Sequence, residues 1–469
     1  MQELARTLNL KAAIAIIVGS IIGSGIFMKP ALMAGQVGSG GLLLLVWFIA
    51  GLITFCGALT NAELACMFPE TGGQYIYFKK IYGDRFAFMY AWASFIVFNT
   101  AGNASIAYVC SQYAHYFISF PELNPLVIEK YSLFIPGIGR FFPLQNYSEK
   151  ILCILFLGLF TAINMYSTKE SSRLQNVLTI LKVASIVLVI SSAVFHSSGS
   201  ADAFFHFSFN SEGSLITAMM LAMSGAFWAY DGWNNISFIG GEITNPQKII
   251  PKSLFIGMVL CILIYIMMNM AYLYVIPFDS IVSTKFIASE LGTKVLGAIG
   301  AGIITLIVIM STLGTINSNV LSTSRVTFAL GQDHPWFRAA AKVHPVYGTP
   351  AIALLFNFGW STVLVLSGSF DMLTDMLIVF SWFFYMMSAL GVIYLRLSKP
   401  NIPRPFKVIG YPWVPLVFIG FTAFYLVIQC YNDLHNYFFG VNKMSHIMFG
   451  LFLVLIGLPI YYFGRRSPN

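Results

Sequence analysis

Apolar residues fall in runs of about 20 separated by short polar connections, the length an α-helix needs to cross a hydrocarbon core. Twelve spans can be drawn, at roughly 11–36, 40–67, 85–118, 149–165, 174–195, 213–240, 250–276, 294–328, 349–368, 373–396, 412–431 and 445–463. Strings of alternating ten-residue segments would mark a membrane barrel instead. The pattern predicts an all-α polytopic membrane protein with twelve transmembrane helices. Spans three and eight are long enough to tilt or to extend beyond the bilayer.

Spans one and six are interrupted at matching places. The first break is Val18-Gly19-Ser20-Ile21-Ile22-Gly23-Ser24-Gly25-Ile26-Phe27, and the second is Phe227-Trp228-Ala229-Tyr230-Asp231-Gly232-Trp233-Asn234-Asn235. Backbone freed inside a membrane is tolerated only where it meets protein, water or a ligand. Paired interrupted spans are the sequence pointer to a transporter's substrate site. Each broken span is followed by four more, which predicts a five-plus-five inverted repeat: residues 1–200, then 201–400, with 401–469 adding spans eleven and twelve. The turn Asn401-Ile402-Pro403-Arg404-Pro405 separates the first ten spans from the last two.

Composition agrees. The 469 residues are 58% hydrophobic and 9% charged, with a mean hydropathy of +0.78; soluble domains carry about 25% charged residues. The net charge of +8 does not indicate nucleic acid, because Lys and Arg collect in the connections. With the N-terminus inside, eighteen of the 26 fall on the cytoplasmic side and six outside, leaving Lys29 and Lys182 within spans. That bias predicts two cytoplasmic termini in a plasma-membrane protein. The six Cys are scattered without metal spacing and read as core thiols. The first apolar run passes Gly25 without a signal-peptide cleavage site. The connection 119–148, with Pro121, Pro125, Pro136 and Pro143, reads as an ordered cap.

The breaks also carry the candidate chemistry. Gly23 and Gly25 let a ligand approach the backbone. The N–H groups of Ser24, Gly25 and Ile26 would open a half-helix, whose N-terminus attracts a carboxylate. Carbonyls from Gly19 to Ile22 would face a cation or ammonium. One break thus suits a zwitterion; the alternative is that its small residues only pack helices. In the second break, carbonyls of Trp228, Ala229 and Asp231 would complete an ammonium site, and Trp228 could lid the side chain. The Asp231 carboxylate either caps the following half-helix or meets the substrate. Lys182 lies deep in its span, where an ionisable group is functional by default; Gly19 carbonyl and Ser311 hydroxyl are its expected partners. Lys29 is expected to reach a water-filled mouth. Glu63 and Glu70 read as structural, and Asn99, Asn103 and Thr315 could line the path or join helices.

An intramembrane enzyme would need an activated nucleophile, paired aspartates or a histidine metal site. The seven His lie in loops or near span ends without HxxxH or HExxH spacing, and Asp231 has no evident aspartate partner. No catalytic residue, metal or cofactor is expected. A channel filter or charged ring is likewise not evident.

The chain resembles the L-type amino acid transporter branch of the amino acid–polyamine–organocation superfamily over most of residues 10–410. The resemblance rests on Gly19–Phe27, Ala62-Glu63-Leu64, Pro69–Tyr77, Gln175-Asn176-Val177 leading to Lys182, Trp228–Asn234 and Pro400–Pro405. It implies sodium-independent amino acid exchange. It places the substrate carboxylate on Ser24 and Gly25 amides and the amino group on carbonyls of Ile21, Trp228 and Asp231. It also implies that Lys182 stands where sodium-coupled members of the fold bind sodium. Animal members hold a glycoprotein heavy chain through a Cys between spans three and four. Residues 119–148 contain no Cys, so no disulfide-linked heavy chain is expected and a standalone bacterial-type transporter is. Neutral L-amino acids are the expected substrates; proton symport and cationic amino acid or polyamine exchange are the alternatives.

Overall fold

The computed structural model describes the backbone of residues 6–118, 123–135, 139–196, 199–209, 214–284, 286–367, 370–441 and 445–466. Pro121 and Pro136 of the expected cap, and Lys285 and Lys443 of the charge count, lie outside the described residues. The first span is two helices, α1 (Leu10–Ile21) and α2 (Gly25–Val37), with Asn9 capping α1 through the Ala12 N–H at 3.0 Å. Then come α3 (Gly40–Met67) and α4 (Asp84–Ala114), the latter widened by a π-turn at Ser94–Phe98. The connection that follows carries a short helix, Pro125–Lys130, and a hairpin pairing β1 (Leu133–Ile135) with β2 (Gly139–Phe141). Next are α5 (Tyr147–Tyr166) and α6 (Thr168–Val194).

The sixth span is α7 (Leu215–Tyr230), a break, and α8 (Asn235–Phe238). The expected second half-helix is therefore one turn of α-helix and a 3-10 turn at Gly240–Glu242. Then follow α9 (Pro246–Val275), α10 (Ile287–Asp333), α11 (Ala351–Ser367), α12 (Phe370–Ser398), α13 (Trp413–Phe438), α14 (His446–Leu455) and α15 (Gly457–Arg466). Among the described residues, ten helical stretches are long and apolar enough to cross a membrane, and α7 and α11 are shorter apolar helices. The 47 residues of α10 are not one rod: Gly297, at φ 68° and ψ −158°, turns the chain before the main helix.

Polarity is arranged for lipid. Leu45, Phe48 and Leu52 form an exposed stripe on α3, while Thr54, Thr60, Asn61 and Glu63 of the same helix are buried. Proline in a membrane helix leaves a carbonyl without its usual donor, and neighbouring helices supply one. Pro30 frees the Ile26 carbonyl, which accepts from Tyr272 hydroxyl at 3.2 Å. Pro251 frees that of Gln247, which accepts from Cys66 thiol at 3.5 Å. The pairs α1–α9, α1–α6, α2–α7, α3–α9 and α6–α10 gather both broken spans at the centre of the bundle.

The end of the bundle that carries the N-terminus is tied shut by charge. Arg325 on α10 forms a bidentate pair with Glu242, at 2.9 and 3.2 Å, and both side chains are almost fully buried. Breaking such a pair strands a buried charge at a cost of about 3–5 kcal/mol. Thr7 and Leu8 amides donate to the Glu242 carbonyl at 2.9 Å, strapping the chain's start over the same residue. Glu63, read from sequence as structural, binds Arg396 at 2.5 Å and accepts the Val408 amide at 2.8 Å. On the short helix Gln74–Tyr82, Lys79 and Tyr75 both reach Asp333 at 2.7 Å. Burial, then the Asp333 contact, pushes the Tyr75 phenol well up, so it remains a neutral donor.

Candidate functional site

At the first break, Ile22 is extended and α2 restarts at Gly25. Phe27 and Met28 amides return to the Ser24 carbonyl at 3.1 Å. Among the described residues, no protein acceptor meets the amides of Ser24, Gly25 or Ile26. They are the donors that every helix start leaves over. The second break lies directly against them. A Cβ added at Gly25 would fall 2.4 Å from Cα and Cβ of Ala229. Gly232 turns the second break with φ +104°, and a Cβ there would lie 3.0 Å from the Ser20 carbonyl. Both contacts require glycine, so the two interruptions form one site.

Three of the carbonyls ending α1 meet side-chain donors: Gly19, where Lys182 is expected, and Ile21 and Ile22, which the sequence leaves open to a cation. Lys182 on α6 is buried and its Nζ donates to the Gly19 carbonyl at 3.0 Å. Its second partner is Thr315 Oγ1 on α10, at 2.9 Å. This corrects the expected Ser311, one turn earlier, whose buried hydroxyl has no hydrogen-bond partner among the described residues. Thr315 hydroxyl also lies 3.2 Å from the Ile22 carbonyl, and a Cβ at Gly23 would meet it at 2.8 Å. Lysine, threonine and the broken helix thus form one cluster.

Tyr265 on α9 was not singled out from sequence. Its hydroxyl lies 2.7 Å from the Ile21 carbonyl and 2.8 Å from that of Ala229, bridging the two breaks. Its ring packs against Trp47 and Tyr230 at centroid distances of 5.3 and 4.9 Å. The only available signal was a phenol in mid-span, since a buried tyrosine hydroxyl needs a partner. Tyr265→Phe keeps the ring and deletes the bridge. Transport should fall roughly fivefold for about 1 kcal/mol of lost hydrogen bonding, as read by labelled uptake beside a thermal melt. Unchanged uptake would remove Tyr265 from the site.

The amino acid permease family profile matches residues 8–461. The chain belongs to the amino acid permease family. Human large neutral amino acids transporter small subunit 2 is 30% identical over 468 residues, 98% of this chain and 81% of that protein. The serine/threonine exchanger SteT of Bacillus subtilis (strain 168) is 28% identical over 464 residues, 98% of this chain and 97% of its own. The human cystine/glutamate transporter is 27% identical over 460 residues, covering 98% and 85%.

In this permease Asp231 ends α7 and does not cap α8, which has no side-chain cap. Its carboxylate accepts from Tyr385 hydroxyl on α12 at 2.8 Å, a third role beside the two expected. Asn can accept the same bond, so Asp231→Asn should weaken neutral and cationic substrates equally, by about threefold or less. Competition by leucine and by lysine against labelled uptake would show this; selective loss of lysine would make Asp231 a side-chain reader. Asn234 anchors the break elsewhere, accepting from Asn61 at 2.6 Å and donating to Gln74 at 2.7 Å. Trp228 is buried edge-on to Phe370 at 5.3 Å, and Lys29 Nζ lies 5.2 Å from the Trp228 ring and 4.8 Å from Phe370. Lys29 is itself buried and lines a cavity of about 300 Å³, the counterpart of the mouth expected for it.

Proposed function

We propose that the chain is a sodium-independent exchanger of neutral L-amino acids working by alternating access in the plasma membrane, both termini cytoplasmic. The observation carrying this reading is Lys182 Nζ seated between the Gly19 carbonyl and Thr315 hydroxyl. A fixed ammonium at the end of a broken helix supplies the positive charge that a coupling cation would otherwise bring. The amides of Ser24, Gly25 and Ile26 then take the substrate carboxylate. The carbonyls of Ile21, Trp228, Ala229 and Asp231 take its ammonium, sharing their second lone pairs with the donors already present.

Twelve spans in a five-plus-five inverted repeat, residues 1–200 and 201–400 with 401–469 appended, put this site at the repeat interface. The buried ion pairs at the N-terminal end form the cytoplasmic closure. The relatives' names, a neutral amino acid transporter and a serine/threonine exchanger, support the substrate class. The carboxylate of Asp231 is engaged by Tyr385, which favours neutral over cationic side chains. No heavy chain is required in this reading.

Proteoliposomes test it. Vesicles loaded with unlabelled leucine or serine should take up the labelled amino acid equally with and without sodium, and empty vesicles should not. Uptake into empty vesicles driven by a pH gradient would replace exchange with symport.

A further inference from the structure

A larger cavity, of about 510 Å³, lies apart from the broken helices and has no part in the mechanism above. The end of α4, the start of α5 and the opening segment of α10 form its walls. Arg325 and its partner Glu242 lie at the other end of α10, so the cavity opens at the face opposite the N-terminal strap. Its volume falls within the range of about 300–1,000 Å³ that small-molecule sites occupy.

The lining is acidic and rich in acceptors. Glu149 in the first turn of α5 and Glu290 in the first turn of α10 contribute carboxylates. Among the described residues, nothing donates to Glu149 Oε2 or to Gln112 Oε1, although both atoms are buried. Lys150 follows Glu149 in the chain but turns its ammonium elsewhere. It donates to the carbonyls of Phe142, Pro143 and Leu366, at 3.0, 3.1 and 3.1 Å. His115, also on the wall, is engaged by the Ser111 carbonyl and the Ser148 hydroxyl, at 2.9 and 3.0 Å. A buried acceptor without a donor is costly, the more so when it carries charge. Tyr113, Tyr116 and Phe286 bring aromatic rings to the same space, and such rings attract a cation over their faces. Carboxylates, orphaned oxygens and rings together suit an organic ammonium with N–H groups to donate. A metal ion fits less well, because among the described residues no three His, Cys, Asp or Glu side chains converge on one.

We propose that this cavity binds a compact diamine from outside and that its occupancy slows exchange. One ammonium donates to Glu149 Oε2 and Gln112 Oε1, and the other meets Glu290. Tyr113 carries the effect inward. Its hydroxyl donates to the Phe27 carbonyl on α2 at 3.2 Å, two residues beyond Gly25. Its ring packs against Phe286 at a centroid distance of 5.0 Å. The short helix Phe278–Ser283, just before Phe286, lies on α2 as well. A diamine that bridges α5 to the start of α10 holds these contacts as they stand. A ligand that favours one arrangement draws the protein away from the others, so an alternating-access cycle slows. The effect on exchange rests on the function proposed above, whereas the binding site does not.

The test is isothermal titration of the purified full-length protein with putrescine, with and without saturating L-leucine. The parent should bind one molecule per chain, at the same affinity in both. Glu149→Gln and Glu290→Gln should each weaken binding at least about tenfold, the loss expected for one charge-assisted bond. Gln112→Leu keeps both charges and should weaken it about fivefold, as for a neutral bond. Tetramethylammonium, which has no N–H to donate, should bind at least about tenfold more weakly than putrescine. In proteoliposomes, external putrescine should slow leucine exchange without changing its half-saturation, and Glu149→Gln should escape the effect. No binding by the parent, or binding indifferent to all three substitutions, overturns the site and leaves the exchanger reading standing. Displacement of putrescine by leucine puts the diamine in the broken-helix site and overturns the neutral-substrate reading along with the cavity. Binding that leaves exchange unchanged overturns the regulatory role alone. Calcium that displaces putrescine and binds more tightly overturns the organic cation in favour of a metal. Phosphatidylethanolamine retained through purification and lost in Glu149→Gln, seen by native mass spectrometry, overturns the diamine in favour of a lipid headgroup.

Discussion

Replacing Lys182 with alanine is expected to slow exchange by about a hundredfold while the protein still folds and is extracted normally. The ammonium makes two hydrogen bonds, to the Gly19 carbonyl and Thr315 hydroxyl. Bonds to a charged group are worth about 1.5–3 kcal/mol each, and every 1.4 kcal/mol is a factor of ten. Stability should change less than activity, because the substitution removes the buried charge along with its bonds and strands no counter-ion. What is lost is the tie between α6, α10 and the end of α1, and with it the charge that organises the first break. Lys182→Arg is not a conservative rescue, since a planar fork cannot occupy the space of a point charge against backbone. Exchange would be measured for parent and variant in sodium-free and sodium-containing buffer. Strict sodium dependence of the parent, or unchanged exchange by the alanine variant, would overturn the role given to Lys182.

The first break was legible because Gly19-Ser20-Ile21-Ile22-Gly23-Ser24-Gly25 interrupts an otherwise apolar run, and Lys182 because a charge at mid-span demands oxygen partners. Partner identity was less legible. Ser311 and Thr315 lie one turn apart on the same face of α10, and only the approach of Thr315 to Gly23 chooses between them. Tyr265 sits in Ile262-Leu263-Ile264-Tyr265-Ile266, where sequence offers nothing to separate a bridging phenol from one facing lipid. Tyr385 is 154 positions from Asp231, and no local pattern joins them. The second half of span six was expected to be a helix. Gly232 at positive φ and the close-packed Gly240 and Gly241 leave it as short turns instead. Ends and partners depend on tertiary packing, whereas breaks and buried charges declare themselves by their cost.

Gly25 should tolerate no side chain at all. In sequence terms Gly25 lets a ligand approach the backbone, so a branched residue there would occupy the carboxylate's place. The structure adds a second obstacle. Even the Cβ of alanine would lie 2.4 Å from Ala229 Cα and Cβ, well inside any real contact. The residue's φ is ordinary, so the conflict is one of space and not of backbone conformation. Ala229 Cα belongs to the second break and cannot swing aside as a side-chain tip would. The two breaks must separate, displacing the three free amides from their present place against the second break. Overpacking of this kind costs about 1–3 kcal/mol, and valine should exceed alanine. Both variants should lose exchange by more than about tenfold, the factor that 1.4 kcal/mol sets, with a lower melting temperature in detergent. The pair Gly25→Ala with Ala229→Gly separates the two obstacles. It removes the Cβ–Cβ conflict but not the Cβ–Cα one, so melting temperature should recover in part while exchange stays low. Full recovery of exchange in the double variant would show that the Gly25 amide does not need the present approach of the second break. Normal exchange in Gly25→Ala alone would dismiss the first break as the substrate site.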